Sequence, residues 1–429
     1  MKQPRTVRVI LCAVLLATAA GSRSYGQVPV EKTGASEAEA DEARGVGHPA
    51  HNREVFIQPH PEIRTPTRDW FGFGDDLRER GVTSTLNLWI IYQGNVTGGL
   101  SKDHAANGLY WFANHFDLER LTGLPGGSAY FLVEGGWGEG INESVGSIMN
   151  VNGIAIGDEP IGVTRLWYDQ ELFSGRLRFR LGKIDVTTEN FEFYGRSVAF
   201  DAMAHANTPR TQFLDAGLVN DASVPFPAAG LTGMLIVEPV ERWYVAAAGF
   251  DRQSDSFEWS YSNAFDDWMV VAETGGVVPV GQRSLIGHYY VGYWYSTFPN
   301  APDGQGVYLG LAQELHREAG SSGQGLGVFA RYGYRDLDVD GVQHYWSLGV
   351  QYQGLFPGRE DDILSMGWAQ VFRRGSSSTA ASEGALELYY RARLTPWLHI
   401  SPHMQYVENP GTSDVDDALT LGIRGQLTF

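Results

Sequence analysis

The sequence predicts an all-β fold: a transmembrane antiparallel β-barrel of sixteen strands, with one long extracellular loop folded inward. Three observations carry this expectation. Apolar side chains recur at every second position from about residue 82 to Phe429, so one face of each segment suits lipid and the other water. The 53 Gly, 20 Tyr, 21 Phe and 12 Trp point to many short strands flanked by aromatic rings. No apolar run after the amino terminus approaches the roughly 20 residues that a spanning helix needs.

In chain order, Lys2, Arg5 and Arg8 precede an apolar stretch from Val9 to Ala20 and small residues through Gly26, so residues 1–26 are expected to be a secretory signal peptide. Its removal takes away Cys12, the only cysteine, which excludes disulfides and thiol catalysis from the mature chain. It also removes four basic residues and no acid, leaving a net charge of about −22. Nucleic acid is therefore not an expected partner. Residues 27–66 are Ala-rich and acidic and begin almost without large apolar side chains, which predicts a disordered periplasmic arm. Residues 67–81, TRDWFGFGDDLRERG, predict a short helix over Asp75–Arg80 stopped by Gly81, just before a barrel over residues 82–429.

The strands then follow one another. Leu86, Leu88, Ile90 and Tyr92 alternate with Thr85, Asn87, Trp89 and Gln93. Tyr110, Phe112, Phe116 and Leu118 alternate with His115, Asp117 and Glu119, ahead of the turn at Leu124–Gly127. Further strands are expected over 128–137, 162–173, 176–185, 229–238, 242–251, 284–296, 305–315, 324–335, 343–355, 361–373, 383–394, 397–407 and 418–429. These make fifteen, whereas a barrel with both ends in the periplasm needs an even number. Counting turns forward from Thr122 and backward from Phe429 puts the missing strand at residues 266–272, DDWMVVA. Pro402 falls inside a strand with no free edge, which predicts a bulge there.

The longest connection, residues 186–227, carries Phe191, Phe193, Tyr194, Phe200 and Phe213. It is too aromatic for a solvated loop, and we expect it inside the barrel as a constriction, the alternative being packing over the mouth or between subunits. On the inward faces the alternation places Arg165, Asp169 and Glu171, then Arg178 and Arg180, Arg331 and Arg335, and Glu387, Arg391 and Arg393. Guanidinium and carboxylate groups bond adjacent hydroxyls and aromatic faces stack on sugar rings, so these ten are the candidate substrate-binding residues of a pore. The same arginines suit an anion or phosphate-type channel, or general diffusion. Asp336, Asp338 and Asp340 begin like a calcium loop, but Ser347 stands where a bidentate Glu belongs, so a solvated acidic loop is expected ahead of a loose surface calcium site, and no metal or cofactor is assigned. No nucleophile elbow and no His pair at metal spacing appears, so no catalytic residue is assigned.

Several stretches resemble the carbohydrate-selective porins of the OprB type: FDLERLTGLPGG from Phe116, LWYDQELFSGRLRFRLGKID from Leu166, GREDD from Gly358 and ELYYRARLTPWLHISPHMQYVENPG from Glu387, with Trp70, Leu77 and Gly81 before the first strand. Trp70-Phe71-Gly72 departs from the Trp-Gly-Gly usual at that point. The resemblance implies a sixteen-stranded barrel of the bacterial outer membrane that admits glucose and other small sugars through a charged eyelet, as a monomer or homotrimer. The terminal Phe429 is similar to the tail by which such barrels meet their assembly machinery, a second expected partner beside outer-membrane lipid.

Overall fold

The computed structural model describes residues 68–429, except 188–190, 194–195, 199, 202, 260, 262, 300, 320–322, 337–340 and 375–381. The signal peptide, the acidic arm, Tyr194, Asp338 and Asp340 thus lie outside the described residues. Helices Arg68–Phe71 and Gly74–Glu79 precede the barrel, and Gly81 at φ +92° ends them in the left-handed region that a side chain resists. Trp70 ties them on: its Nε1 donates to the Ser84 carbonyl at 3.0 Å and its ring meets Phe112 edge-on.

Eighteen strands follow: β1 Val82–Thr97, β2 His104–Asp117, β3 Gly127–Trp137, β4 Gly162–Leu172, β5 Leu177–Ile184, β6 Phe191–Phe193, β7 Arg196–Val198, β8 Gly230–Val240, β9 Trp243–Asp251, β10 Trp268–Val280, β11 Leu285–Phe298, β12 Ala301–Arg317, β13 Gly325–Asp336, β14 Gly341–Gln353, β15 Ile363–Arg374, β16 Ser382–Thr395, β17 Leu398–Glu408 and β18 Ala418–Thr428. Sixteen of them close one antiparallel barrel, and β6 and β7 pair as a separate hairpin in the long loop. Closure matters because unpaired backbone groups in hydrocarbon cost several kcal/mol each, roughly, and a closed barrel leaves none. The seam is β1 on β18, with Leu88 opposite Leu427, and Phe429 extends it: its N–H donates to the Leu86 carbonyl at 2.8 Å.

The missing strand is β10, and it is longer than its apolar stretch, running through Gly275 and Gly276 to Val280. Pro279 is tolerated because β9 ends its pairing at Gly276, so no neighbour seeks a donor there. The bulge expected at Pro402 is absent. Pro402 pairs Ile423 in unbroken register, and on its other side the ladder to β16 skips from His403 to Ile400 without a shift. Two omitted pairings accommodate the ring. The second strand also ends earlier than its pattern: Asp117 caps a one-turn helix, Leu118–Thr122, accepting from Glu119 N at 3.0 Å and Arg120 N at 3.2 Å.

Outward, Ile90, Tyr92, Leu181, Val291, Leu309, Leu348, Met366, Leu421 and Ile423 are exposed on strands all around the barrel. Such a belt is stable only where the solvent is lipid. Outer tyrosines are paired across strands, Tyr293 to Gln305 at 2.8 Å toward one rim and Tyr352 to Glu318 at 3.0 Å toward the other. Each ring thus has an apolar body and a wet, bonded tip. Among the described residues no helix is long and apolar enough to cross a membrane; the crossing is made by strands.

Candidate functional site

The inward faces carry the polar side chains, and two segments lie against them. Residues 200–226, from the long connection, contact one wall after another. Asp201 accepts from Tyr290 of β11 at 2.7 Å and from Arg331 Nε of β13 at 2.9 Å, while its N–H donates to Glu273 of β10 at 2.9 Å. Pro209 and Gln212 offer their carbonyls to Arg424 of β18 at 2.6 and 2.9 Å. Leu214 and Asp215 donate their backbone N–H groups to Glu387 of β16 at 2.9 and 2.8 Å. The aromatics Phe200 and Phe213 are buried in this packing, Phe213 edge-on to Phe329 and Tyr389.

The second segment, residues 141–156, was not foreseen. Asn152 is its hub, donating to Gln93 and Asn107, both at 2.8 Å, and Gln405 Nε2 donates to the Val151 carbonyl at 2.8 Å. All four side chains are almost fully buried, so each bond replaces one otherwise made to water. The 24-residue connection has no aromatic side chain and no strand period. Its hints are the apolar Ile141, Val145, Met149, Val151 and Ile154, all buried, and the amide-rich Asn150-Val151-Asn152.

All but one of the expected site residues fall into three groups. Arg165, Asp169, Glu171, Arg178 and Arg180 stand together on β4 and β5. Arg165 donates to Glu134 at 2.9 Å and Asp185 at 2.6 Å, Arg180 pairs with Asp169 at 3.1 Å, and Arg178 with Glu171 at 3.3 Å. Arg331 and Glu387 hold the loop: Arg331 also donates to the carbonyls of Leu218 and Val219 at 3.1 and 3.2 Å. Arg391 bonds Gln426 at 3.1 Å, and Arg393 reaches Asp361 in a short turn at 2.7 Å, both away from the first group. Arg335, the tenth, stands outside these groups, beside Gly341 near the end of β13.

Aromatic partners complete the first group. The Arg180 guanidinium sits 3.7 Å from the Trp167 ring centre, and Trp167 stacks on Tyr130 at 4.9 Å. From the loop, Arg210 comes across and lies 3.8 Å over Trp111, whose Nε1 donates to Glu134 at 2.7 Å. Alternation could not find Arg210, because loop residues have no period. Its burial lowers its pKa to about 10, with Glu134 opposing that and Arg165 adding to it, so it stays charged at neutral pH. Burial alone would raise Asp185, but the Arg165 charge and hydrogen bond, the Thr187 hydrogen bond and the Arg210 charge together outweigh it and hold Asp185 at about 2. The result is a wall of guanidinium planes, indole faces and carboxylates that is mostly closed by its own pairing: Arg165, Asp169, Arg180, Trp111, Trp167 and Tyr130 are buried, while Arg178, Arg210 and Asp185 keep 13%, 11% and 18% of their side chains exposed.

A closed sixteen-stranded barrel with a lipid-facing belt and a charged lumen crossed by loops defines an outer-membrane channel of the porin class. The chain belongs to the OprB family of carbohydrate-selective porins, whose model it matches over residues 101–302 and 297–429. Porin B of Pseudomonas aeruginosa is 24% identical over 448 residues, covering 90% of this chain and 95% of its own. The high-pH structure of Pseudomonas putida OprB superimposes with a TM-score of 0.73 at 20% identity, covering 84% of this chain and 97% of that one. Its low-pH structure gives 0.59 at 20% identity, with 85% and 98% covered. The protein is therefore an outer-membrane porin, and its relatives are channels.

Proposed function

We propose that this porin passes small sugars by passive diffusion, with a preference for saccharides over other solutes of their size. The observation that carries the reading is the wall of Arg165, Arg178, Arg180 and loop-borne Arg210 against Trp111, Trp167 and Tyr130, with Glu134, Asp169, Glu171 and Asp185 interleaved. A pyranose has hydroxyls for the charged groups and an apolar face for the rings, whereas an amino acid of equal size has neither in that arrangement. The loop carrying Arg210 lies against this wall, and Arg178, Arg210 and Asp185 are its more exposed members, so solute is expected to meet the wall there. Arg331 and Glu387 act through the loop, and Arg391 and Arg393 meet solute only nearer the periplasmic rim.

Liposome swelling with the purified protein tests the preference. Monosaccharides are expected to enter faster than amino acids of matched size. Equal rates would sink the preference and leave a general pore.

A further inference from the structure

Strand β16 carries two carboxylates four residues apart on its inward face, Glu383 and Glu387, both fully buried. Each grips a different inward segment in the same way, by accepting two consecutive backbone N–H groups. Glu383 takes Ile148 N at 2.7 Å and Met149 N at 2.8 Å, with Gly411 N at 2.6 Å as a third donor. Glu387 takes Leu214 N and Asp215 N, with Gln405 at 3.0 Å and the His403 ring at 2.6 Å behind it. The gripped segments also hold each other. Gly153 N donates to the Leu214 carbonyl and Ala216 N to the Asn150 carbonyl, both at 2.8 Å. Met149 closes the joint from the side, for a Cβ added at Gly217 would lie only 2.2 Å from its sulfur.

We propose that Glu383 and Glu387 are positioning residues that together set the aperture of the pore, by locking residues 141–156 and 200–226 into one body. The proposal rests on the reading of the barrel as a pore, and not on its preference for sugar. Neither carboxylate has to touch the solute. A carboxylate accepting two or three N–H groups fixes a loop by charge-assisted bonds that no neutral side chain reproduces. Because the two segments brace each other, release of either one frees both.

Single-channel recording in planar bilayers tests this with Glu383→Gln, Glu387→Gln and the double variant. Unitary conductance is read only from folded barrels, verified by heat-modifiable gel migration, so a loss of folding yield does not register as a change in aperture. Each single variant is expected to raise the conductance, and the double to rise no further than the larger single. Ala216→Pro is the second probe. It removes one bond between the segments at the first helical position, where proline is tolerated, and Asp215 before it is already extended at ψ 125°. It is expected to raise the conductance while both glutamates remain. Wild-type conductance in the single variants, or gains that simply add in the double, would overturn the proposal. Lost sugar preference with these results intact would strike only the saccharide reading.

Discussion

Asp221 shows how a single carboxyl in the lumen responds to its surroundings. Burial and the neighbouring Asp201 push it from 3.8 up to about 7, against the opposing bonds from Ser223 and the Arg331 charge. The groups around it are Asp201 and Ser223 on its own segment and Arg331 and Tyr345 on β13 and β14. A carboxyl raised by folding contributes nothing below 3.8, where it is protonated in either state. As the pH climbs from 3.8 to about 7 the undocked form ionises and the docked form does not, so docking weakens over that window and no further above it. Protease cleavage within residues 200–226 should therefore speed up between those values and level off, and Asp221→Asn should flatten the rise. A cleavage rate that falls across the window would refute the assignment. Arg331 is the opposite case. It is fully buried among carbonyls and the Asp201 carboxylate, and removing it would strand that carboxylate at a cost of about 3–5 kcal/mol.

At the scale of elements, the seam between β1 and β18 joins the first and last strands of the barrel and is simple to weaken. Phe429 makes two backbone bonds with Leu86, at 2.8 and 3.4 Å, and a backbone bond contributes about 0.5–1.5 kcal/mol. Deleting Phe429 should lower barrel stability by about 1–3 kcal/mol, read as a lower urea midpoint in detergent by tryptophan fluorescence. An unchanged midpoint would mean that the seam closes without its last residue. Strand existence was legible because lipid and lumen impose opposite chemistry on alternate side chains, as in Ile90 and Tyr92 against Trp89 and Gln93. Strand ends were less so. β10 hides its second half in Gly275, Gly276 and Pro279, residues that alternation cannot score. Pro402 misled because a missing donor is absorbed by omitted pairings as readily as by a bulge.

For the whole molecule, the lumen charges determine which ions the pore distinguishes. The described arginines of the β4–β5 wall are each paired with a carboxylate, as are Arg331 and Asp201. A permeating ion meets alternating dipoles there more than a ladder of one sign. In a salt gradient the reversal potential should stay close to zero. A strongly anion-selective potential would favour the phosphate-type reading over the saccharide one.

The amino-acid sequence by itself determined the barrel, its sixteen strands, the address in the outer membrane and the inward identity of ten charged residues. The strands and their inward faces follow from period-two alternation, a local property of the chain; the sixteenth strand follows from the even count that closure requires, and the address from the leader, Phe429 and the family resemblance. Only the tertiary structure decided which charges meet each other: that Arg331 and Glu387 grip loop backbone, that Arg210 returns to Trp111, and that residues 141–156 join the lumen at all. Those contacts join residues as far apart as Met149 and Glu383. Arg331 and Glu387 grip backbone N–H and C=O groups, which every sequence carries alike, and Arg210 and Asn152 meet side chains on distant strands, so no local residue pattern could announce these contacts.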